Sequence, residues 1–263
     1  MVLATKVHGS MGDDPNEFGN SRRWIVREVE NSLRRLGTDW IDLYQIHRPE
    51  QDTDIDETLG ALTDLVRAGK VRYIGSSTFP ASQIVEAQWV AEKRERFVCE
   101  QPPYSLLVRG IEADVLPTCL RHGMGVIPWS PLAGGWLSGR WRKGAKDLSS
   151  RRAAMLPRRY DLSLPENQRT LEATDALGKL ADETGMTLIE MALAFVIRHP
   201  AVTAAIIGPR TMEHLESQLP AADVHLPDEV LDRIDEIVPP GVNVNPADWG
   251  WDNPALEPGA LRC

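Results

Sequence analysis

Cysteine is scarce in this 263-residue chain, and aromatic residues and long apolar runs are scarce too. Its three cysteines, Cys99, Cys119 and Cys263, have neither the spacing of a zinc site nor that of a redox pair. The sequence therefore predicts no metal site and no disulfide framework, and it favours a reducing, cytoplasmic setting. No apolar run reaches the length of a membrane span, and residues 1–6 are too short for a signal-peptide core. A membrane partner is not expected.

Basic residues are also fewer than acidic residues. The chain has 29 Lys and Arg residues and 38 Asp and Glu residues, which give a formal net charge of -9. Nucleic acids and acidic membranes favour a basic face, so neither is expected as a partner. The chain has no GxGxxG motif, which an open, doubly wound dinucleotide-binding sheet would carry after its first strand. It also has no internal repeat and no low-complexity segment.

What the chain does contain is an alternation of short apolar strands with amphipathic helices. Strands are predicted to begin near residues 2, 40, 71, 97, 125 and 204, with a helix between neighbouring strands. This order is typical of a parallel α/β sheet with right-handed crossovers. The apolar, evenly spaced strands favour a (β/α)8 TIM barrel over an open sheet, although six strands are two fewer than that barrel needs. We expect one domain over residues 1–263, ending in an irregular tail at residues 239–263.

Residues 40–50 form the most informative stretch, a buried strand that runs into a polar turn and ends at Pro49. A side-chain period of two places Gln45 and His47 on one face and Tyr44 on the other. His47 is therefore the last inward residue of the strand. From this strand alone, a structural, hydrogen-bonded role for His47 is at least as well supported as a chemical role.

Polar or small residues end the other predicted strands as well. The strand ends carry Lys6, His47, Ser77, Gln101, Trp129 and Gly208. In a barrel these ends converge on one mouth, where the chemistry of that fold occurs. Each residue has a structural alternative, such as a turn cap or a core position, but the set as a whole predicts a site. The long Gly- and Arg-rich segment at residues 131–165 is also of a length that usually serves function.

Six stretches resemble the aldo/keto reductases, in the branch that includes the potassium-channel β-subunits. They are LATK at 3–6, DLYQIH at 42–47, GKVRYIGSS at 69–77, EQ at 100–101, WSPLAGG at 129–135 and IG at 207–208. Their order and spacing extend the resemblance over residues 1 to about 238. It implies an eight-stranded barrel with NADPH extended across its mouth, and the reduction of aldehydes or ketones to alcohols by hydride transfer.

The resemblance also implies catalytic roles. In the family a Tyr donates a proton to the carbonyl oxygen, a Lys lowers the pKa of that Tyr, an Asp pairs the Lys and a His orients the carbonyl. Lys6 matches the catalytic Lys, and His47 matches the catalytic His. The family's Asp and Tyr belong to segments that would precede Met1, and Tyr44, Tyr73, Tyr104 and Tyr160 do not match that Tyr.

We therefore expect a chain that lacks the first two βα units. Its barrel edges would be open and prone to self-association. Its carbonyl reduction would be far slower than that of a version extended upstream, because a positioned acid contributes on the order of 10²- to 10⁴-fold.

For the nicotinamide, Ser77 and Gln101 match the side chains that bind the carboxamide, and Thr78 takes the place of a family Asn or Arg. Trp129 matches the aromatic residue that stacks on the ring. For the pyrophosphate, the matching residues are Ser130, Pro131, Leu132 and Gly134. Small residues there let backbone amides approach the phosphates.

For the rest of the cofactor, Arg140 and Arg151 resemble the basic residues of the loop that closes over it. Arg210, just after Gly208, is placed to bind the adenosine 2′-phosphate, which favours NADPH over NADH. Gln218 stands in place of a family residue that holds the adenine and still offers an amide. Solvated surface arginines are the alternative interpretation of the three basic residues.

Two functions remain open at this stage. The first is a carbonyl reductase with a small-molecule substrate, which His47 favours because a scaffold needs no carbonyl-orienting histidine. The second is a non-catalytic nicotinamide-binding protein or a channel-β-subunit-like interaction protein. An inactive fragment is a further alternative, because the family's catalytic Asp and Tyr would precede Met1.

Overall fold

The computed structural model describes residues 1–145, 150–257 and 259–260. The chain divides into two compact units. The first comprises Met1–Pro102 and Asp114–Val126, and the second comprises Pro103–Ala113 and Ile127–Cys263. The single domain expected over residues 1–263 stays a prediction.

The first unit is a parallel sheet with helices between successive strands. Its elements are β1 (Ala4–Val7), α1 (Arg22–Leu36), β2 (Ile41–Ile46), α2 (Ile55–Arg67), β3 (Val71–Ser76), α3 (Ala81–Val90), β4 (Cys99–Glu100), α4 (Val115–Arg121) and β5 (Gly125–Val126). The strand order is β1-β2-β3-β4-β5, and every neighbouring pair is parallel. The predicted parallel α/β sheet is confirmed, together with the first five strand positions.

The register of this sheet brings the strand ends level with one another. Lys6 is paired with Gln45, Gln45 with Gly75, and Gly75 with Cys99. Since all the strands run in the same direction, their carboxyl ends lie at one edge. The residues that follow β2, β3 and β4 are His47, Ser77 and Gln101.

The helices of this unit begin and end where their capping residues predict. The Ser21 hydroxyl accepts a hydrogen bond from the N–H of Trp24 at the start of α1, and Gly37 ends that helix with a φ of 65°. Asp54 caps α2 in the same way, accepting from Asp56. The apolar sides of these helices cover the sheet, which buries Trp24, Ile25, Val29, Leu59 and Leu62.

The second unit is mainly helical. Its α-helices are α5 (Arg151–Met155), α6 (Pro165–Glu183), α7 (Leu188–Ile197), α8 (Met212–Glu216) and α9 (Asp228–Ile237). Helix α6 packs against both α7 and α9, and Leu177, Val196 and Ile234 are fully buried in this core. Among the described residues, none of the helices is long and apolar enough to cross a membrane.

The sixth strand, expected at residues 204–208, is reduced to an isolated bridge. Ile206 pairs in parallel with Trp129, and its N–H donates to the carbonyl of Pro128 at 2.9 Å. Pro128 has no N–H to donate on one side of this contact, and on the other side Ser130 leaves the extended conformation with a φ of 57°, so the ladder does not continue. The prediction of a regular strand here was wrong, although the parallel direction was right.

Candidate active site

Lys6 and His47 lie at the same end of two neighbouring parallel strands. Lys6 is within β1, and His47 follows β2 directly, where its backbone N–H donates to the carbonyl of Val7 at 2.8 Å. Both side chains are half-buried. The predicted juxtaposition of these two strand ends is confirmed.

The electrostatics of this pair are set by burial and by a cluster of cations. Burial is the largest cause that lowers the pKa of Lys6, followed by the charge of Arg48. The pKa of His47 is lowered to about 4 by burial first, then by Arg48, Lys6 and His8. An imidazole with that pKa is uncharged at neutral pH. His47 is therefore suited to hydrogen bonding, and the positive charge of the site resides on its neighbours.

Tyr44 is directed away from this pair, as strand parity predicted. It is fully buried, and burial is the largest cause that raises its pKa, followed by the charge of Glu28 on α1. Arg35 and Ser32, also on α1, act on the same hydroxyl. Tyr44 belongs to the layer between β2 and α1, so it is not a proton donor beside His47.

Ser77 and Gln101 meet at the ends of β3 and β4. The Ser77 hydroxyl donates to the backbone carbonyl of Gln101 at 2.8 Å, and the Gln101 amide donates to Oε1 of Gln45 at 3.4 Å. Gln45 in turn donates to the carbonyl of Ser76 at 3.2 Å. The structure thus joins three strand ends through one buried hydrogen-bonded chain.

Thr78 follows Ser77 in a left-handed backbone conformation, with a φ of 62°. A β-branched residue rarely adopts this conformation. Its hydroxyl accepts a hydrogen bond from Nη1 of Arg48 at 3.2 Å, and Arg48 also donates to the carbonyl of His47 at 2.7 Å. Arg48 therefore connects the residues that follow β2 and β3.

Three further residues of this region, which were not predicted as site residues, are Gln45, Arg48 and Glu100. Gln45 is a fully buried amide that shares the inward face with Gly75 and Cys99. Glu100 is a fully buried carboxylic acid between β3 and the residues that follow it. The available signal was a Gln and a Glu inside otherwise apolar strands, since buried polar groups need partners.

In the second unit, Trp129 is held by isolated parallel bridges to Pro103 and Ile206. The loop after it contains left-handed φ angles at Ser130, Ala133, Gly134 and Gly135. Short turns close within the loop, with Ala133 donating to Ser130 at 2.8 Å. Pro131 is buried and Leu132 is half-buried.

Gly134 has a structural reason to be glycine in addition to the predicted cofactor contact. Its carbonyl accepts a hydrogen bond from the Tyr160 hydroxyl at 2.8 Å, and an added Cβ would stand 3.1 Å from that hydroxyl. Tyr160 stacks on Trp136 and Trp141. The loop at 130–135 is thereby fixed to the long segment that follows it.

The remaining predicted cofactor residues also belong to the second unit. Arg140, Gly208 and Arg210 are exposed, and Gln218 is half-buried. Arg210 precedes Thr211, which caps α8 by accepting from His214 at 3.2 Å. Arg151 begins α5, and its side chain lies outside what the structure describes. The positions of Trp129 and of these residues relative to Lys6 and His47 stay predictions.

A polar cavity of about 460 Å³ opens near the same edge of the first unit. Asn20, Glu50, Asp54, Phe79 and Glu86 are among the residues that line it. It does not include Lys6, His47, Ser77 or Gln101. The cavity is therefore separate from the predicted catalytic pair.

These features define a parallel α/β protein with a cationic, partly buried site at its carboxyl strand ends. The model of the aldo/keto reductase family matches residues 1–239, and the chain belongs to that family. Its fold class is accordingly that family's TIM barrel, of which the described sheet supplies five parallel strands.

Individual relatives agree with this assignment. The chain is similar to the uncharacterized oxidoreductase YrpG of Bacillus subtilis, with 42% identity over 95% of this chain and 76% of that protein. It is similar to a probable voltage-gated potassium channel subunit beta of Arabidopsis thaliana, with 34% identity over 90% of this chain and 74% of that protein. Versiconal hemiacetal acetate reductase of Aspergillus parasiticus is 32% identical over 86% of this chain and 65% of that protein.

Proposed function

We propose that this protein reduces aldehydes or ketones to alcohols and uses NADPH as its cofactor. The observation that carries the proposal is the parallel pairing of β1 with β2, which places Lys6 and the uncharged His47 at the same end of neighbouring strands. Family membership supports the same chemistry, as does the similarity to a protein named as a reductase.

The ends of β3 and β4 fit the carboxamide of a nicotinamide ring. The Ser77 hydroxyl donates its hydrogen bond to the Gln101 carbonyl, so the hydroxyl oxygen is available to accept a hydrogen bond from an amide N–H of the ligand. Gln101 donates one N–H to Gln45, and its amide has a second N–H and a carbonyl oxygen for further bonds. Ser77 is 1% exposed and Gln101 is 6% exposed, so a ligand amide here would be shielded from water.

The catalytic residues act on the substrate carbonyl in this proposal. When bound, NADPH supplies the hydride. A neutral His47 can donate an N–H hydrogen bond to the carbonyl oxygen and fix its orientation. The positive charge of Lys6 stabilises the negative charge that develops on that oxygen, and a preorganised cation of this kind contributes several kcal/mol. The Lys6 ammonium group, whose pKa is lowered mainly by burial, gives the oxygen the proton that completes the alcohol.

The test measures NADPH oxidation with 4-nitrobenzaldehyde for the native protein and for the variants His47→Gln and Lys6→Met. Lys93→Met, which changes an exposed lysine after α3, is the matched control. We expect each site variant to lose on the order of 10²- to 10⁴-fold in rate. The control should stay within about twofold, as distant surface changes do. Site variants as active as the control would contradict the proposed roles.

The similarity to a potassium channel subunit beta favours a second candidate, a nicotinamide-binding interaction protein without turnover. Tight NADPH binding with no aldehyde-dependent oxidation by the native chain would support that candidate over the first. A cytoplasmic location is also part of our proposal, and the buried, free thiols of Cys99 and Cys119 support it.

A further inference from the structure

Glu100 is a buried carboxylic acid that the proposed chemistry does not use. It is 0% exposed and belongs to β4, where it is paired with Ser76 of β3. An added Cβ on Gly75 would lie 3.3 Å from Gln45 and 3.4 Å from the Cβ of Cys99, so these three residues share one face of the sheet. By alternation Glu100 projects from the opposite face, away from Lys6.

The contacts of Glu100 surround the turn at residues 76–79. The Ser76 hydroxyl donates to one carboxyl oxygen, and the backbone N–H of Phe79 donates to the other at 3.2 Å. Burial raises the pKa of Glu100 to about 7, and these bonds, with the backbone N–H groups of Thr78 and Gln101, lower it in part. The carboxyl group thus holds the residue before Ser77 and the residue after Thr78.

This turn needs external support because Thr78 is left-handed, with a φ of 62°. Strained conformations persist only where the surrounding structure over-determines them. Arg48 supports the Thr78 side chain, whereas Glu100 supports the backbone on both sides. Loss of either carboxyl contact would allow the turn to relax and displace the Ser77 hydroxyl.

We infer that Glu100 is a positioning residue that fixes the turn at 76–79 so that Ser77 is aligned with Gln101 for a nicotinamide carboxamide. This inference rests on the proposed function for the role of Ser77 and Gln101. A positioning role for Glu100 differs from a general stabilising role, because only the binding of the nicotinamide half of the cofactor should depend on Glu100.

The test compares Glu100→Met, which keeps the side-chain length and removes both acceptors, with Glu100→Gln, which can still accept from Phe79. Glu28→Met, another buried carboxylate of the first unit on α1, is the matched control. Affinities are measured for NADPH and for 2′,5′-ADP, which lacks the nicotinamide. We expect Glu100→Met to bind NADPH about tenfold more weakly, while its affinity for 2′,5′-ADP changes less than twofold.

Glu100→Gln should restore NADPH affinity to within about threefold of native, and Glu28→Met should leave the ratio of the two affinities unchanged. Equal loss of both ligands in Glu100→Met, or a Gln variant as weak as the Met variant, would overturn the inference. If Glu100→Met does not fold, Ser76→Ala removes one of the two contacts, and an unchanged affinity ratio in that variant overturns the inference as well.

Hydrogen exchange at the Phe79 amide separates this inference from the proposed function. A native protein that binds no nicotinamide cofactor would defeat the proposed function alone. The Phe79 amide should still exchange at least about tenfold faster in Glu100→Met than in Glu28→Met, because it has lost its acceptor. Equal exchange rates of the Phe79 amide in the two variants would show that Glu100 does not support the turn.

Discussion

At the scale of single residues, the low pKa of His47 makes folding stability depend on pH. The pKa is about 4 in the folded protein and near 6.5 in the unfolded chain. Between these values the unfolded chain binds the proton and the folded protein does not, so stability falls as pH drops from 6.5 towards 4. Burial opposes the protonation of His47 most, followed by the charges of Arg48 and Lys6.

The measurement is urea unfolding of the native protein and of His47→Gln at intervals from pH 4 to pH 7.5. The Gln variant cannot take up the proton, so the difference in free energy of unfolding between the two should change across this window and level off above pH 6.5. Curves that run parallel from pH 4 to 7.5 would show that His47 is not the group responsible.

The second prediction for a single residue concerns Arg210 and the preference for NADPH over NADH. A guanidinium pairs well with a phosphate, and only NADPH carries the 2′-phosphate. Arg210→Ala should therefore weaken NADPH binding at least about tenfold and leave NADH binding within about twofold. Calorimetry or fluorescence titration measures both affinities. Arg169→Ala, an exposed arginine of α6, is the control, and equal losses for the two cofactors would refute the assignment.

The position of Lys6 and His47 at neighbouring strand ends could be predicted from the sequence, whereas the contacts of Arg48 and Glu100 could not. Lys6 and His47 each stand at a strand end, and strand ends can be recognised from the chain itself. The role of Arg48 depends on Thr78 and that of Glu100 on Phe79, which are contacts between residues on different strands and loops. Such contacts follow from the pairing register, which a single sequence does not determine.

At the scale of elements, helix boundaries were well predicted where capping residues are strong, and strand lengths were not. Helix α1 begins directly after its cap Ser21 and ends before Gly37, and helix α2 begins directly after its cap Asp54. Strands β4 and β5 have only two residues each, and the sixth strand is a bridge. Caps act within one turn of the chain, but strand length depends on the hydrogen bonds that a neighbour offers.

The capping box of α7 gives an element-scale prediction. Thr187 accepts from the N–H of Glu190 at 3.1 Å, and the Glu190 side chain accepts from the N–H of Thr187 at 2.8 Å. Seven of the ten residues of helix α7 are buried, so its start is coupled to the core of the second unit. Thr187→Ala should lower the free energy of unfolding by about 1 kcal/mol.

Urea denaturation followed by circular dichroism measures this loss. Thr211→Ala is the matched control, because it removes the cap of the five-residue helix α8, which has no buried residues. Its cost should be smaller, since a helix that contributes little to a core contributes little to stability. A control loss as large as that of Thr187→Ala would contradict the link to the core.

At the scale of the whole molecule, the fold class could be predicted because alternating strands and helices have few topological solutions. The parallel order β1-β2-β3-β4-β5 is the simplest of them. The alternation of strands and helices does not determine whether the chains associate. Association depends on which backbone groups of the edge strands lack partners.

Strand β1 is an edge of the described sheet, since it pairs with β2 alone among the described strands. The carbonyls of Leu3 and Val7 accept hydrogen bonds from the β2 side. Backbone groups alternate along a strand, so those of Ala4 and Lys6 face outward. We propose that two chains associate through this edge, because unpaired strand edges are templates for another chain.

Ala4→Pro tests this association because it removes one outward N–H and leaves the bonds to β2 in place. The Ala4 side chain is exposed, so the substitution disturbs no core contact. Sedimentation velocity over a tenfold range of concentration should show association of the native protein and of Ala4→Ser, which retains the N–H. The Pro variant should sediment as a monomer over the same range. A native protein that stays monomeric, or a Pro variant that associates as the Ser variant does, would show that this edge does not bring chains together.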